Sequence, residues 1–187
     1  MEENQQAVQP KETAAHNIYY WLQTLVVAVV AIVLLFGFVC RITRVEGGSM
    51  LNTLHDGDLL LLWDLGYTPK AGDVVVLNKT DDETTALLGG EAIVKRVIAT
   101  GGQTVEIDYV ADEVYVDGQL IDEPYIREQN MNGSGWQTYE VPEGHVFVMG
   151  DNRNASTDGR VIGTVDEGYI MGKALCILFP FSDMGLL

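Results

Sequence analysis

The 187-residue chain holds only two cysteines, three histidines and five prolines, and 11 basic side chains stand against 27 acidic ones. Each shortage excludes something. Two cysteines, Cys40 and Cys176, cannot build a disulfide framework, and both are expected to be unpaired. No Cys-x-x-Cys pair occurs and His16, His55 and His145 are scattered, so no metal site is expected. No glycine-rich phosphate-cradling loop is present, and no cofactor is implied. With a net charge of −16 the chain repels phosphate backbones, which argues against nucleic acid as a partner. The deficit is uneven: residues 1–17 carry three acids and Lys11, residues 18–44 only Arg41 and Arg44, and residues 45–187 carry 24 acids and eight bases. That last part is long enough for one domain with its own core.

One further absence is local. From Ile18 to Cys40 no residue is charged. As a helix these residues would reach roughly 34 Å, enough for a hydrocarbon core of about 30 Å. Tyr19, Tyr20 and Trp21 stand at the front edge, where amphipathic rings favour the membrane interface, and Arg41 and Arg44 close the other end. The alternative is a cleaved signal peptide. The stretch is long for one, and Phe36-Gly37-Phe38-Val39-Cys40 offers neither a small-x-small cleavage site nor a lipoprotein box. A retained single-span anchor over 18–40 is therefore expected, with a disordered tail over 1–17. Counting bases, Lys11 before the span against Arg41 and Arg44 after it, points the C-terminal part toward the cytoplasm.

Beyond residue 44 the pattern is strand-like. Short apolar or alternating runs at 59–63, 73–77, 92–98, 104–107, 113–116, 145–149 and 169–179 are separated by Gly, Asp and Pro clusters. Asp117-Gly118 between two apolar runs is a hairpin signal. No long amphipathic helix is evident there, and the polar segments 78–91 and 129–140 read as loops. The expected class is mainly β behind a single N-terminal transmembrane helix.

Three stretches could carry chemistry. In Gly47-Gly48-Ser49-Met50-Leu51-Asn52-Thr53-Leu54 a serine follows two glycines, on a turn bare enough for a substrate backbone to approach, although most Gly-Ser turns are linkers. In Ile93-Val94-Lys95-Arg96-Val97-Ile98, strand alternation puts Lys95 between Ile93 and Val97 on one face and Arg96 on the other. If that face is buried, desolvation yields a neutral amine able to take a proton; a lysine snorkelling to water is the plain alternative. Gly150-Asp151-Asn152-Arg153-Asn154-Ala155-Ser156-Thr157-Asp158-Gly159-Arg160 gathers Asp, Asn, Arg and Ser behind an apolar strand, or is an ordinary charged loop. His55 with Asp56 or Asp58 near Ser49 could suggest a Ser-His-Asp triad, but six residues is a short return and triads are not set by sequence neighbours.

In this order and behind an anchor, these stretches resemble the type I signal peptidases, membrane-anchored Ser-Lys proteases, in their Gram-positive branch. The resemblance runs from the anchor to the C-terminus. It is carried by Gly48-Ser49-Met50-x-x-Thr53-Leu54, Gly57-Asp58, Gly72-Asp73-Val74-Val75-Val76, Val94-Lys95-Arg96-Val97-Ile98, Gly150-Asp151-Asn152-Arg153 with Ser156-x-Asp158, Val141-Pro142-Glu143-Gly144-His145 and Gly172-Lys173-Ala174. It implies a coiled β-sheet domain at 41–187, with Ser49 as nucleophile, Lys95 as general base and Ser156 orienting the lysine. Asp151, Asp158, Arg160 and Arg96 would brace the site, the Ser49 backbone N–H would serve the oxyanion, and Val45, Met50, Leu54 and Val94 would shape small apolar pockets. The implied partners are exported preproteins with Ala-x-Ala-like cleavage sites and a lipid bilayer. The implied topology is a single-pass bacterial membrane protein with a cytoplasmic N-terminus and the domain outside, against the base count. Asn154-Ala155-Ser156 is a glycosylation pattern over a proposed site residue, which also fits a bacterial setting.

The chain departs from the family pattern at Gly47, where some members carry a hydroxyl, at Asn52 for proline, at Gly101 and Gln103 for Pro and Asp, and at Gly159 for serine. Two other readings stay open: a non-catalytic or substrate-dedicated relative that binds preproteins or pilus subunits in the same groove, and a self-cleaving Ser-Lys protease of the repressor type.

Overall fold

The computed structural model describes residues 14–38, 40–78, 92–127 and 130–187, which fall into two compact units, Met1–Phe38 and Val39–Leu187. The first unit contributes one helix, α1 (Ala14–Phe38). Its segment His16–Leu35 has a mean hydropathy of 2.3 with none of its residues buried, and it is long and apolar enough to cross a membrane. The helix begins four residues ahead of the expected start, because Ala14 and Ala15 favour helix before the apolar run begins. Of the expected tail, residues 1–13 lie outside the described residues.

The second unit is mainly β. Its strands are β1 (Cys40–Arg44), β2 (Leu59–Trp63), β3 (Val74–Leu77), β4 (Ile93–Thr100), β5 (Thr104–Asp108), β6 (Glu113–Val116), β7 (Gln119–Leu120), β8 (Trp136–Glu140), β9 (His145–Met149), β10 (Val165–Asp166), β11 (Ile170–Phe179) and β12 (Gly185–Leu186). The described residues form two antiparallel sheets. The larger runs β1-β2-β11-β3-β4-β9-β10, with β12 on β11, and the smaller runs β7-β6-β5-β8. One helical turn, α2 (Gly159–Ile162), follows β9. The chain crosses from the larger sheet to the smaller at Gly101-Gly102, and the Asp117-Gly118 hairpin turn has φ of 53° and 74°, the left-handed pair that a two-residue turn demands.

All seven expected strands are present, differing by at most two residues at an end. Five further strands are present among the described residues, the two-residue β7, β10 and β12 and the longer β8 and β1, and the last two correct the sequence reading. The expected loop 129–140 ends in β8, an edge strand whose residues are exposed except for half-buried Tyr139, so it lacks the apolar signature of a strand. β1 is likewise an edge strand, with exposed Arg41, Ile42 and Arg44, where only the flank of the anchor was expected. In the expected loop 78–91, residues 79–91 lie outside the described residues.

β3 and β4 lie inside the larger sheet, and their interior positions are buried throughout. Three apolar clusters surround them. One packs Val74, Val76 and Val94 with Leu60, Leu62, Ala174 and the loop residues Val45, Met50 and Leu54. A second packs Val75, Leu77 and Val97 with Val146, Val148 and Val165. The third joins Ile98, Phe147 and Met149 to the smaller sheet through Val105, Ile107 and Val114. Phe147 is fully buried and its ring lies 4.6 Å from that of Tyr139. Phe147→Ala is expected to cost roughly 3–5 kcal/mol of unfolding free energy, measurable by urea denaturation of the detergent-solubilised chain.

Candidate functional site

Three segments converge beside the middle of β4. The loop between β1 and β2 is closed at its base by Val45 N donating to Asp58 O and Gly57 N to Val45 O, 2.8 and 2.9 Å. Inside it a single helical turn forms, with Leu54 N on Met50 O at 2.8 Å. Met50 and Leu54, one turn apart, sink into the core, and Ser49 is left half-buried at the head of the turn. β4 supplies Lys95 and Arg96. Because β4 pairs with β9 with Arg96 opposite Met149, the segment that leaves β9 at Gly150 starts at the level of these two side chains.

Lys95 Nζ lies 2.8 Å from Ser49 Oγ and donates to Val94 O at 2.9 Å. Only 3% of the residue is exposed. Apolar clusters containing Val94 on one side of the strand and Val97 on the other close off the snorkelling alternative. Burial lowers the amine to about 8, against the upward pull of Asp158 and Asp151. With one N–H held by Val94 O, the neutral amine keeps its lone pair for the Ser49 hydroxyl.

The surrounding carboxylates are each paired. Arg96 grips Asp151 with two bonds, Nε–Oδ1 at 2.9 Å and Nη2–Oδ2 at 2.7 Å, donates to Gly72 O at 2.8 Å and lies 3.9 Å over the Tyr125 ring. Thr53 Oγ1 donates to Asp151 Oδ2 at 2.5 Å, tying the Ser49 loop to the same pair. Asp158, fully buried, accepts from Gly150 N at 3.0 Å and from Arg160 Nε and Nη2, both at 2.8 Å. Burial pushes the Asp158 carboxyl up, but the Arg160 bonds and charge with the Gly150 N–H outweigh it, so it stays below the usual range. Arg153, 2% exposed, pairs with Glu123 and donates to Gly150 O at 3.1 Å.

Of the expected site residues, Ser49, Lys95, Arg96, Asp151, Asp158 and Arg160 come together. Ser156 is close by, with its buried Oγ beside the Asp158 carboxylate that it helps keep charged, and it makes no bond to Lys95. A side chain on Gly150 would collide with that hydroxyl and would also lie 2.6 Å from Ser49 O, so only glycine permits this approach. Val45, Met50, Leu54 and Val94, expected as pocket walls, are 0–7% exposed and belong to one core cluster. They support the Ser49 turn and offer a ligand almost no surface.

His55 does not face Ser49. Its Nδ1 is 3.8 Å from Asp183, and with Asp58 these form a group whose potential ligand atoms lie within 4.8 Å of one another, where no metal-capable group was expected. Asn152, Thr53 and Arg153 lie within the family-like motifs, which imply no role for them. Glu123 and Tyr125 carry no signal in the sequence, since their parts depend on distant partners, Arg153 for Glu123 and Arg96 for Tyr125.

A family model described as signal peptidase, peptidase S26, matches residues 18–179. Among curated proteins, the chain is 41% identical over 169 residues to a Synechocystis sp. protein named probable signal peptidase I-1, covering 87% of this chain and 83% of that one. It is 31% identical over 181 residues to signal peptidase I of Bacillus licheniformis, covering 90% and 92%, and 34% identical over 176 residues to signal peptidase I T of Bacillus subtilis, covering 88% and 86%. A solved signal peptidase I from Enterococcus faecalis aligns with a TM-score of 0.46 and 28% identity, over 57% of this chain and 97% of that one.

Two stability outcomes follow from the site's charges. Arg96→Ala would leave Asp151 buried without its cation, an expected loss of roughly 3–5 kcal/mol in urea unfolding. For Lys95, the folded amine titrates near 8 and the unfolded one near 10.5, so in that window the unfolded state holds the extra proton and stability climbs with pH. Below it the buried ammonium costs ~3 kcal/mol. Lys95→Met should therefore stabilise the protein at pH 7 and flatten the climb between pH 8 and 10.5, in unfolding curves taken across that range.

Proposed function

Because the chain belongs to the signal peptidase family, peptidase S26, we propose that it cleaves signal peptides with Ser49 as nucleophile and Lys95 as general base. The family makes it a serine peptidase that removes signal peptides; the assignment of the machinery rests on the 2.8 Å contact between Ser49 Oγ and a lysine amine that is 3% exposed. Neutral Lys95 takes the Ser49 proton as Oγ adds to the scissile carbonyl. The oxyanion is received by the Ser49 N–H, for which no acceptor is present among the described residues. The ammonium of Lys95 then protonates the leaving amine as the C–N bond breaks, leaving an ester on Oγ. Lys95, neutral again, deprotonates the water that hydrolyses the ester, and Ser49 is regenerated. Asp151, Asp158, Arg96 and Arg160 hold the loops, and Ser156 is a small neutral hydroxyl beside them. At Gly47 no hydroxyl is available as a second donor.

The substrates are exported preproteins, and Ala-x-Ala-like endings suit a nucleophile set on a bare glycine-rich turn. The helix Ala14–Phe38 would anchor the enzyme in the bacterial cell membrane, with residues 1–17 cytoplasmic and residues 41–187 outside.

A purified secreted precursor incubated with the detergent-solubilised protein is expected to lose its signal peptide. Ser49→Ala and Lys95→Ala should each slow this by at least about 10⁴-fold, and Lys95→Arg should not restore it, because guanidinium stays charged. The rate should rise with pH along a limb near 8 as Lys95 loses its proton. Full activity in Lys95→Ala, or binding of the precursor without turnover by the unsubstituted chain, would overturn the assignment.

A further inference from the structure

Asn152 reaches the nucleophile through the backbone. Its Nδ2 donates to Gly48 O at 2.9 Å, and its own N–H donates to Ser49 O, also at 2.9 Å. Those carbonyls belong to the two peptide units on either side of the Ser49 Cα, so one residue fixes both planes. In a trans peptide the C=O and the next N–H point in opposite directions. Drawing Gly48 O toward Asn152 therefore aims the Ser49 N–H away from it, and no acceptor meets that N–H among the described residues. Locally, Gly48 O receives only a longer contact from Leu51 N at 3.4 Å, and Gly47 N is held by Asp56 Oδ1 at 2.9 Å; between these points two glycines leave the unit free to turn, because glycine adopts most backbone conformations at low cost.

The clamp is held at the expense of Asn152 itself. The residue is 3% exposed, and its Oδ1 is buried with no hydrogen-bond partner. Reversing the amide would set Oδ1 against Gly48 O, two acceptors face to face, so the orphaned oxygen is the consequence of directing Nδ2 at the nucleophile loop. Buried polar groups left unpaired in this way are uncommon and concentrate where function demands them.

We infer that Asn152 is a positioning residue for the transition state: it pins the peptide units flanking Ser49 so that the Ser49 N–H is pre-aimed at the developing oxyanion. This rests on the Ser49 assignment above. Asn152 bonds to neither Ser49 Oγ nor Lys95 Nζ and acts through the Gly48–Ser49 backbone.

The test compares the full detergent-solubilised chain with Asn152→Asp, which keeps the shape but sets a carboxylate oxygen against Gly48 O, and Asn152→Leu, which has similar size and removes donor and orphaned acceptor together. Leucine suits a buried site, so it reports activity even if the aspartate variant fails to fold. Precursor cleavage is expected to show kcat lowered on the order of 10²-fold in Asn152→Leu, with KM within a few-fold and melting temperature preserved. The pH limb near 8 should stay in place, because Lys95 is untouched. A peptide boronate, whose tetrahedral adduct on Ser49 places an oxygen at the oxyanion position, should lose affinity in parallel with kcat. The uncleaved peptide of the same sequence, bound to variants that also carry Ser49→Ala, should not. Wild-type kcat in folded Asn152→Leu, a change confined to KM, or equal losses for boronate and peptide would each overturn the inference. An inactive unsubstituted chain would instead strike at the Ser49 assignment itself.

Discussion

The site depends on placing a primary amine where water cannot solvate it. An interior strand covered on both sides by apolar clusters does this, and Lys95 becomes a base because the sheet denies its ammonium hydration. The effect is fragile, since a free carboxylate close by would restore the charge. Asp151 and Asp158 both pull Lys95 in that direction. Each is already committed to a guanidinium, Arg96 and Arg160, and this limits their pull. The arginines thus protect the neutrality of the lysine as well as joining loops.

The same pairs solve a mechanical problem. Ser49 and the segment after β9 belong to loops, which are by nature less rigid than strands. Here both are tied to β4 through Asp151, which receives Arg96 from the strand and Thr53 from the nucleophile loop. Gly150 lets the two loops approach within a distance that any side chain would forbid. The nucleophile is consequently held by the sheet, although it does not sit on it.

Much of this was legible in the sequence. The short apolar or alternating runs at 59–63, 113–116 and 145–149 fall within strands, and Ser49, Lys95, Arg96 and the Asp151–Arg160 segment meet because motif order reflects which segments the sheet brings together. What was missed has physical causes. β8 is an exposed edge strand and bears no apolar stripe. Glu123 and Tyr125 matter only through Arg153 and Arg96, contacts that depend on loop paths rather than on spacing. The resemblance implies a binding role for Met50, Leu54 and Val94, while their apolar character speaks equally well for the core where they lie. Ser156 was expected against Lys95, and hydroxyl rotors and loop bends of that scale leave no trace in residue order.

Of the eight basic side chains in residues 45–187, Lys95, Arg96, Arg153 and Arg160 are withdrawn into the interior. Among the described acids of this part only Asp58, Asp108, Asp151 and Asp158 are buried, and the others lie partly or fully at the surface with few cations to balance them. Dissolved salt then acts on two regions unequally. Mobile ions screen the outer carboxylates over a Debye length of roughly 8–10 Å, yet they cannot enter the packed interior where the guanidinium pairs and the amine reside. Ionic strength becomes a control on how the domain meets other molecules, and the chemistry inside is insulated from it.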